Sequence, residues 1–209
     1  MNRSSVALSV FALVGLLALA GCSNPADDKP EAKVEEPAEL SVPSDGDRYV
    51  FAEESRIDWV GSKVTGQHDG GFSSFDGEII LVDGDPAVSS VYILIDTNSI
   101  WSDNEKLTGH LKSGDFFDVE TFPTAAFTST SIEPGAEGYT ITGNLELHGV
   151  NKSITFPATI AVEDDGVKTQ AEFFINRNDF GIVYPGKPDD LIRDEVVIRF
   201  DLTAVPAAG

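Results

Sequence analysis

Three histidines, His68, His110 and His148, are the side chains best suited to hold a metal or move a proton, and they stand far apart in the chain. None sits at the short spacings from which a metal centre is built, so no metal is expected. His148 precedes Gly149 at a turn, and His68 lies in a glycine-rich stretch, Gly66-Gln67-His68-Asp69-Gly70-Gly71. Serines are plentiful, but no nucleophile-elbow motif carries one and no partner base is identifiable. The paired carboxylates Asp164-Asp165 and Asp189-Asp190 read as solvated turns, and Asp83-Gly84-Asp85 is too short for a calcium loop. Polar chemistry is therefore thin, and no catalytic residue is expected.

The apolar side chains are more informative. From Ser99 to Ser131 the sequence reads as a short helix, a loop and the start of a strand. Ser102 with Glu105 three residues on is a capping-box arrangement, Leu107 and Leu111 share one helix face, and Gly114 supplies a stop. Phe116, Phe117, Phe122 and Phe127 follow closely, with Pro123 fixing the turn into a strand. A lone amphipathic helix followed by aromatics predicts a plug or lid on something built of strands.

The rest of the chain from Arg48 onward alternates. Tyr139, Ile141, Gly143, Leu145 and Leu147 interleave with polar residues, and Ile154, Phe156, Ala158, Ile160 and Val162 do the same. So do Ile57 and Trp59; Val91, Ile93 and Ile95; Ala171, Phe173 and Ile175; and Val196, Ile198, Phe200 and Leu202. A period of two with one polar face predicts antiparallel strands whose apolar face looks inward. Hairpin turns are expected at Asp83–Pro86, Pro134–Gly138, Gly149–Lys152 and Asp164–Gly166. About eight strands with one helix fit a closed up-and-down barrel or a sandwich. Trp59, Phe72, Phe75, Phe116, Phe117, Phe127, Phe156, Phe173 and Phe180 either line one cavity or pack a solid core; alternation alone leaves both open.

Net charge is −21, from 35 acidic against 14 basic residues, which excludes nucleic acid as a partner and disfavours anionic headgroups. The single cysteine, Cys22, forbids an intrachain disulfide and a thiolate metal cluster. Arg3, an apolar run from Val6 to Ala20, and Leu19-Ala20-Gly21-Cys22 resemble a bacterial lipoprotein signal over residues 1–21, with Cys22 as the acylated N-terminus. Such an anchor, carrying more than one acyl chain, holds a protein at a membrane effectively permanently. Ser23 in place of Asp after the cysteine favours the outer membrane if the cell is Gram-negative. Residues 22–47, with Pro25, Pro30, Pro37 and Pro43 among acidic residues and no apolar period, predict a disordered tether.

Five segments in order resemble the YceI-like family: Trp59–Lys63; His68–Gly77; His110–Asp118 with Phe122-Pro123; Gly143–Lys152; and Asn176–Gly181 followed by Asp194-Glu195-Val196. The resemblance covers residues 48–209 and implies an all-β, lipocalin-like, antiparallel up-and-down barrel of about eight strands with one short capping helix. It also implies a secreted, non-enzymatic protein of the bacterial cell envelope, facing the periplasm, with a polyisoprenoid chain in its lumen. The expected lipid-contacting residues are Trp59, Phe72, Phe75, Ile93, Leu107, Leu111, Phe116, Phe117, Phe127, Ile141, Leu145, Leu147, Phe156, Phe173, Ile175 and Phe180, with Lys63, His68 or Lys112 meeting a headgroup. No cofactor is expected beyond a bound isoprenoid or quinone-like lipid, and homodimerisation stays open. The functional expectation is a membrane-tethered binding protein for an isoprenoid or isoprenoid-quinone lipid, serving transport, storage or stress response. The alternatives are an envelope interaction module with a packed core and an enzyme acting on isoprenoid lipids.

Overall fold

The computed structural model describes residues 23–43, 45–135 and 138–208. The expected signal, residues 1–21, and Cys22 lie outside the described residues. In chain order the strands are β1 (Lys33–Glu35), β2 (Asp47–Phe51), β3 (Arg56–Lys63), β4 (Gly66–Phe72), β5 (Phe75–Val82), β6 (Asp85–Asp96) and β7 (Ile100–Ser102). They continue as β8 (Thr124–Gly135), β9 (Gly138–Leu147), β10 (Val150–Glu163), β11 (Gly166–Asn176), β12 (Gly186–Lys187) and β13 (Asp190–Pro206). One helix, α1 (Glu105–Leu111), and the 3-10 turns Thr97–Ser99 and Arg177–Phe180 complete the described regular structure. Among the described residues no helix is long and apolar enough to cross a membrane.

Antiparallel pairing runs β2, β5, β6, β8, β9, β10, β11, β13 and back to β2, so the sheet closes on itself. β13 also pairs with β3, β3 with β4, and β4 with β7. Thus β2 with β3, β4 with β5, and β6 with β7 are single staves broken at mid-length. The described residues form an eight-stave up-and-down barrel with one helix, as the resemblance implies, where the alternation leaves barrel and sandwich open; closure leaves no long edge to be protected.

The three breaks, Ala52–Ser55, Ser73–Ser74 and Thr97–Ser99, lie side by side, because Ile57 pairs with Phe72 and Phe72 with Ile100 just beyond them. Hydroxyls replace the missing ladder: Ser55 Oγ donates to the Thr203 carbonyl at 2.9 Å, Ser99 Oγ to Asp96 at 2.7 Å, and Thr97 Oγ1 to Phe122 at 2.7 Å. Side chains that bond backbone locally are what permits a strand to stop and restart.

Two hairpin turns are sharper than expected. His148-Gly149 (φ 52° and 73°) and Asp83-Gly84 (φ 50° and 73°) both have positive φ at each central position, the geometry that matches strand twist. Val150–Lys152 is therefore already strand, and two residues of the expected Pro134–Gly138 turn fall outside the described ones. The helix start also moves. Asn104, not Ser102, is the N-cap, its Oδ1 accepting from the Leu107 N–H at 3.1 Å. Ser102 ends β7 and its hydroxyl donates to the Asn104 carbonyl instead. The helix stops at Leu111, before Gly114.

The expectation of a disordered tether over 22–47 fails for much of its length. Ala26, 4% exposed, packs on the outward-facing Val60, Val197 and Phe174. β1 then enters the barrel wall, pairing Lys33, Val34 and Glu35 with Thr155, Ile154 and Ser153 of β10. On its other side the Ala32 N–H donates to the Phe174 carbonyl and the Phe174 N–H to the Pro30 carbonyl, both at 2.9 Å. Ala32 and Val34 face the core while Glu31, Lys33 and Glu35 face solvent. The segment adheres because β10 and β11 pair only at Thr159–Glu163 with Gly166–Gln170, leaving backbone groups that need partners. No apolar period marks so short an insertion, which is why composition alone reads as linker.

Candidate functional site

At mid-height four rings meet across the lumen. Phe156 stacks on Phe173 at 4.2 Å and 14°, and Phe200 meets both edge-on at 6.0 and 5.8 Å; Phe127 lies 5.7 Å from Phe156. They divide the interior into two unequal parts. Toward the Asp83-Gly84 and Asp164-Asp165 hairpins, Ile79, Leu81, Val167 and Leu202 leave a void of only about 30 Å³. Toward α1, a cavity of about 320 Å³ opens.

The walls of the large cavity come from the inward faces of the staves, and its top comes from α1 and the loop after it. Ile57 and Trp59 of β3, Phe72 of β4, Phe173 and Ile175 of β11, and Val196 and Ile198 of β13 supply the sides. Leu107 and Leu111 close it from above with Phe116 and Phe117. Phe116 is held by His110 and Tyr184, whose rings lie 4.9 and 5.3 Å away, and Phe117 meets Phe72 edge-on at 5.8 Å. Trp59 fits because Gly70 opposite it has no side chain: a Cβ there would stand 2.2 Å from the indole ring.

Of the residues expected to meet a ligand, Trp59, Phe72, Leu107, Leu111, Phe116, Phe117, Phe127, Leu145, Leu147, Phe173 and Ile175 line this cavity. Five stand elsewhere. Phe75 meets Phe51 edge-on at 6.3 Å, Ile93 is buried in the packed core, and Ile141 and Phe156 border the small void. Phe180 is fully buried, and its carbonyl accepts from His148 Nδ1 at 3.2 Å. Alternation places a residue on the inner face but cannot say at what height, and these five lie at or beyond the level of the rings or outside the lumen wall. Of the three headgroup candidates, Lys63 and His68 border the cavity; Lys112 does not.

Sequence reasoning passed over Ser62, Arg177, Ile182, Ile192 and Arg193, which also border the cavity. Arg177, 5% exposed, donates from Nη1 to the Ile182 carbonyl at 2.6 Å, from Nε to the Arg193 carbonyl at 3.1 Å, and from Nη2 to Asp194 at 3.1 Å. Burial pushes its pKa down and Asp194 pulls it back up. Its fork fastens the Arg177–Ile182 loop to β13. The pairing of Asn176-Arg177 with Asp194 in the family words was the signal available. At the rim, Lys63 pairs with Asp190, and Thr65 Oγ1 donates to the same carboxylate at 2.8 Å; these hydrogen bonds, Lys63 first, hold Asp190 below the usual carboxylate range. Asp190 is therefore an ion-pair partner, and not the freely solvated turn carboxylate expected.

On the inward face of β3, Trp59 carries a buried polar atom, Nε1, with no protein partner among the described residues. Buried polar atoms are ordinarily satisfied, so a site of this kind suits a ligand with a hydrogen-bonding atom on an apolar body. The histidines are dispersed: His68 Nδ1 lies 2.7 Å from Asp103 and His110 Nε2 2.7 Å from Asp115. Among the described residues no group of three or more His, Cys, Asp or Glu is placed to hold a metal.

The YceI-like domain model matches residues 49–204. A UPF0312 protein of Yersinia enterocolitica is 41% identical over 91 residues, 44% of this chain and 47% of its own. A UPF0312 protein of Pseudomonas putida is 36% identical over 124 residues, 56% and 65% of the two chains. The matches thus span about half to two thirds of these curated relatives. Among solved structures, Burkholderia cenocepacia BcnA superposes with a TM-score of 0.67 at 26% identity, covering 73% of this chain and 97% of its own. A polyisoprenoid binding domain from Saccharophagus degradans, implicated in plant cell wall breakdown, superposes with a TM-score of 0.62 at 18% identity, covering 78% of this chain and all of its own; at that identity the likeness is one of fold.

Proposed function

Because the chain belongs to the YceI-like family, we propose that it is a binding protein holding a polyisoprenoid or isoprenoid-quinone lipid in the cavity beneath α1. The observation that carries this reading is the cavity of about 320 Å³, walled mainly by aliphatic and aromatic side chains and already formed beneath α1. Its size falls in the range of small-molecule sites, and the fold neighbour from S. degradans is a polyisoprenoid binding domain. A chain of roughly 20 isoprenoid carbons burying about 400 Å² gives on the order of 10 kcal/mol gross at ~25 cal/mol per Å². Association costs of about 4–15 kcal/mol offset much of it, so a preformed pocket decides whether binding is useful. Trp59 Nε1 is the group offered to a carbonyl or hydroxyl on the lipid.

In this reading Cys22 is acylated and ties the barrel to the envelope membrane on its periplasmic side. The leash is short. Only three residues separate Cys22 from the docked Ala26, four Cα-to-Cα steps or at most about 14 Å of extended chain. The barrel then sits against the bilayer instead of tens of ångströms above it, which suits collection of a membrane lipid for transport or storage.

The test uses geranylgeraniol, a twenty-carbon isoprenoid alcohol, and a Trp101→Phe background in which Trp59 is the sole tryptophan. Saturable change in Trp59 emission is expected, abolished by Phe116→Asp in a protein that keeps its β-sheet circular dichroism. No change with added probe in the folded parent protein contradicts the proposal.

A further inference from the structure

Between β10 and β11 the barrel wall is not closed by its own two staves. Their ladder stops at Thr159 and Gln170, and Pro157, two residues further back on β10, has no N–H to offer. Beyond that point the gap is filled by Pro30–Glu35, antiparallel to β10 and bridged in parallel to Phe174 of β11 through Glu31. The residues flanking the seam, Ile154 on one side and Phe173 and Ile175 on the other, all line the large cavity. The filler lies outside residues 49–204, the span of the family match.

It is held lightly compared with its neighbours. Its inward side chains are Ala32 and Val34, where other staves bring Phe and Ile. Its outer fastenings are the half-buried pair Lys29–Glu172 at 2.6 Å and the exposed pair Lys152–Glu36 at 2.5 Å, which solvent reaches and whose contribution is therefore modest. The Asn144 side chain, which accepts from the Ala38 N–H and donates to its carbonyl, marks where the docked stretch ends. Segments with few buried apolar contacts open first. The top of the cavity, by contrast, is fastened by the Phe116–His110–Tyr184 cluster.

We propose that Pro30–Glu35 is a removable stave, and that the seam it fills between β10 and β11 is the side portal through which a lipid chain enters and leaves the lumen. The proposal rests on the lipid reading of the cavity. Displacing the stave exposes an apolar slot along the cavity wall without unpacking the four-ring floor or lifting α1. A linear chain can pass such a slot sideways, and Ala32, having almost no side chain, is the residue that must move aside.

The test locks the stave. Lys33→Cys and Thr155→Cys join register partners, Lys33 exposed and Thr155 next to the lumen residue Ile154 and so on the outer face, within the reach of a disulfide. The variant is made in the full chain with Cys22→Ser, and release of preloaded geranylgeraniol is followed by Trp59 emission in the Trp101→Phe background. Oxidation is expected to slow release about tenfold or more with affinity unchanged, and reduction to restore it. A control bridge across the continuous β9–β10 seam, Glu146→Cys with Asn151→Cys, is expected to leave the rate alone. Equal release from locked and unlocked chains that bind normally overturns the portal. Failure of the probe to bind in either state overturns the lipid reading, and the portal with it.

Discussion

The two ends of this barrel are built from the same staves and do opposite things with them. Toward the Asp83-Gly84 and Asp164-Asp165 hairpins the staves are continuous and their side chains fill the interior to a residue of about 30 Å³. Toward α1 three of them break side by side at Ala52–Ser55, Ser73–Ser74 and Thr97–Ser99, restart beyond the breaks, and leave about 320 Å³. The packed end holds the fold, and the broken end trades packing for a cavity that the helix and Phe116 must cap. Four phenylalanines stand between them as floor to one part and ceiling to the other. The packed-core reading of the aromatics is true of one end, the cavity reading of the other.

That contrast is sharpest in Phe156, 2% exposed and stacked on Phe173. Phe156→Ala is expected to cost about 3–5 kcal/mol in urea denaturation, the largest single effect, because the ring supports both compartments. Gly70→Ala comes next, at about 1–3 kcal/mol, because the methyl would meet the Trp59 ring at 2.2 Å and the Trp101 carbonyl at 2.3 Å. Leu145→Trp breaks the comparison the other way: it fills the open end, so stability is expected to move by less than about 1.5 kcal/mol while geranylgeraniol uptake is lost. Comparable losses of stability for Leu145→Trp and Phe156→Ala would mean that the two ends are not distinct. Asn104→Ala removes the cap of α1 and is expected to cost about 1 kcal/mol, read as a lowered thermal midpoint.

The smallest effect concerns acid. Hydrogen bonds from Lys29 first, and then Arg199, hold Glu172 below its ordinary carboxylate range. A depressed folded-state pKa means the contribution is complete above the unfolded value of about 4.3 and is lost as pH falls through the folded one. Amide protection at Ala32 and Phe174 is therefore expected to fall on acidification before that at Ile141, which stands in a continuous ladder.

Much of this was legible in the residues. The period of two in β9, β10, β11 and β13 fixed which side chains look inward, and glycine after an acidic residue or histidine marked the tight hairpins. Height along the barrel was not legible, since Ile93 and Ile175 obey the same alternation and only strand register separates packed core from cavity wall. Nor was the stave: Pro30, Glu31 and Ala32 have the composition of a linker, and what orders them is unpaired backbone on β10 and β11, far away in sequence. The family words around Arg177 and Asp194 pointed to that pair of segments without revealing the three-way clasp that a single guanidinium makes.

The central claim is that the open end holds a lipid. Native mass spectrometry of the purified full-length chain, followed by organic extraction, tests it most directly. The account predicts a non-covalent mass excess of several hundred daltons that is lost on denaturation and extracts as an isoprenoid or an isoprenoid quinone. A clean mass for the chain alone, unchanged after incubation with polyisoprenols, would contradict it.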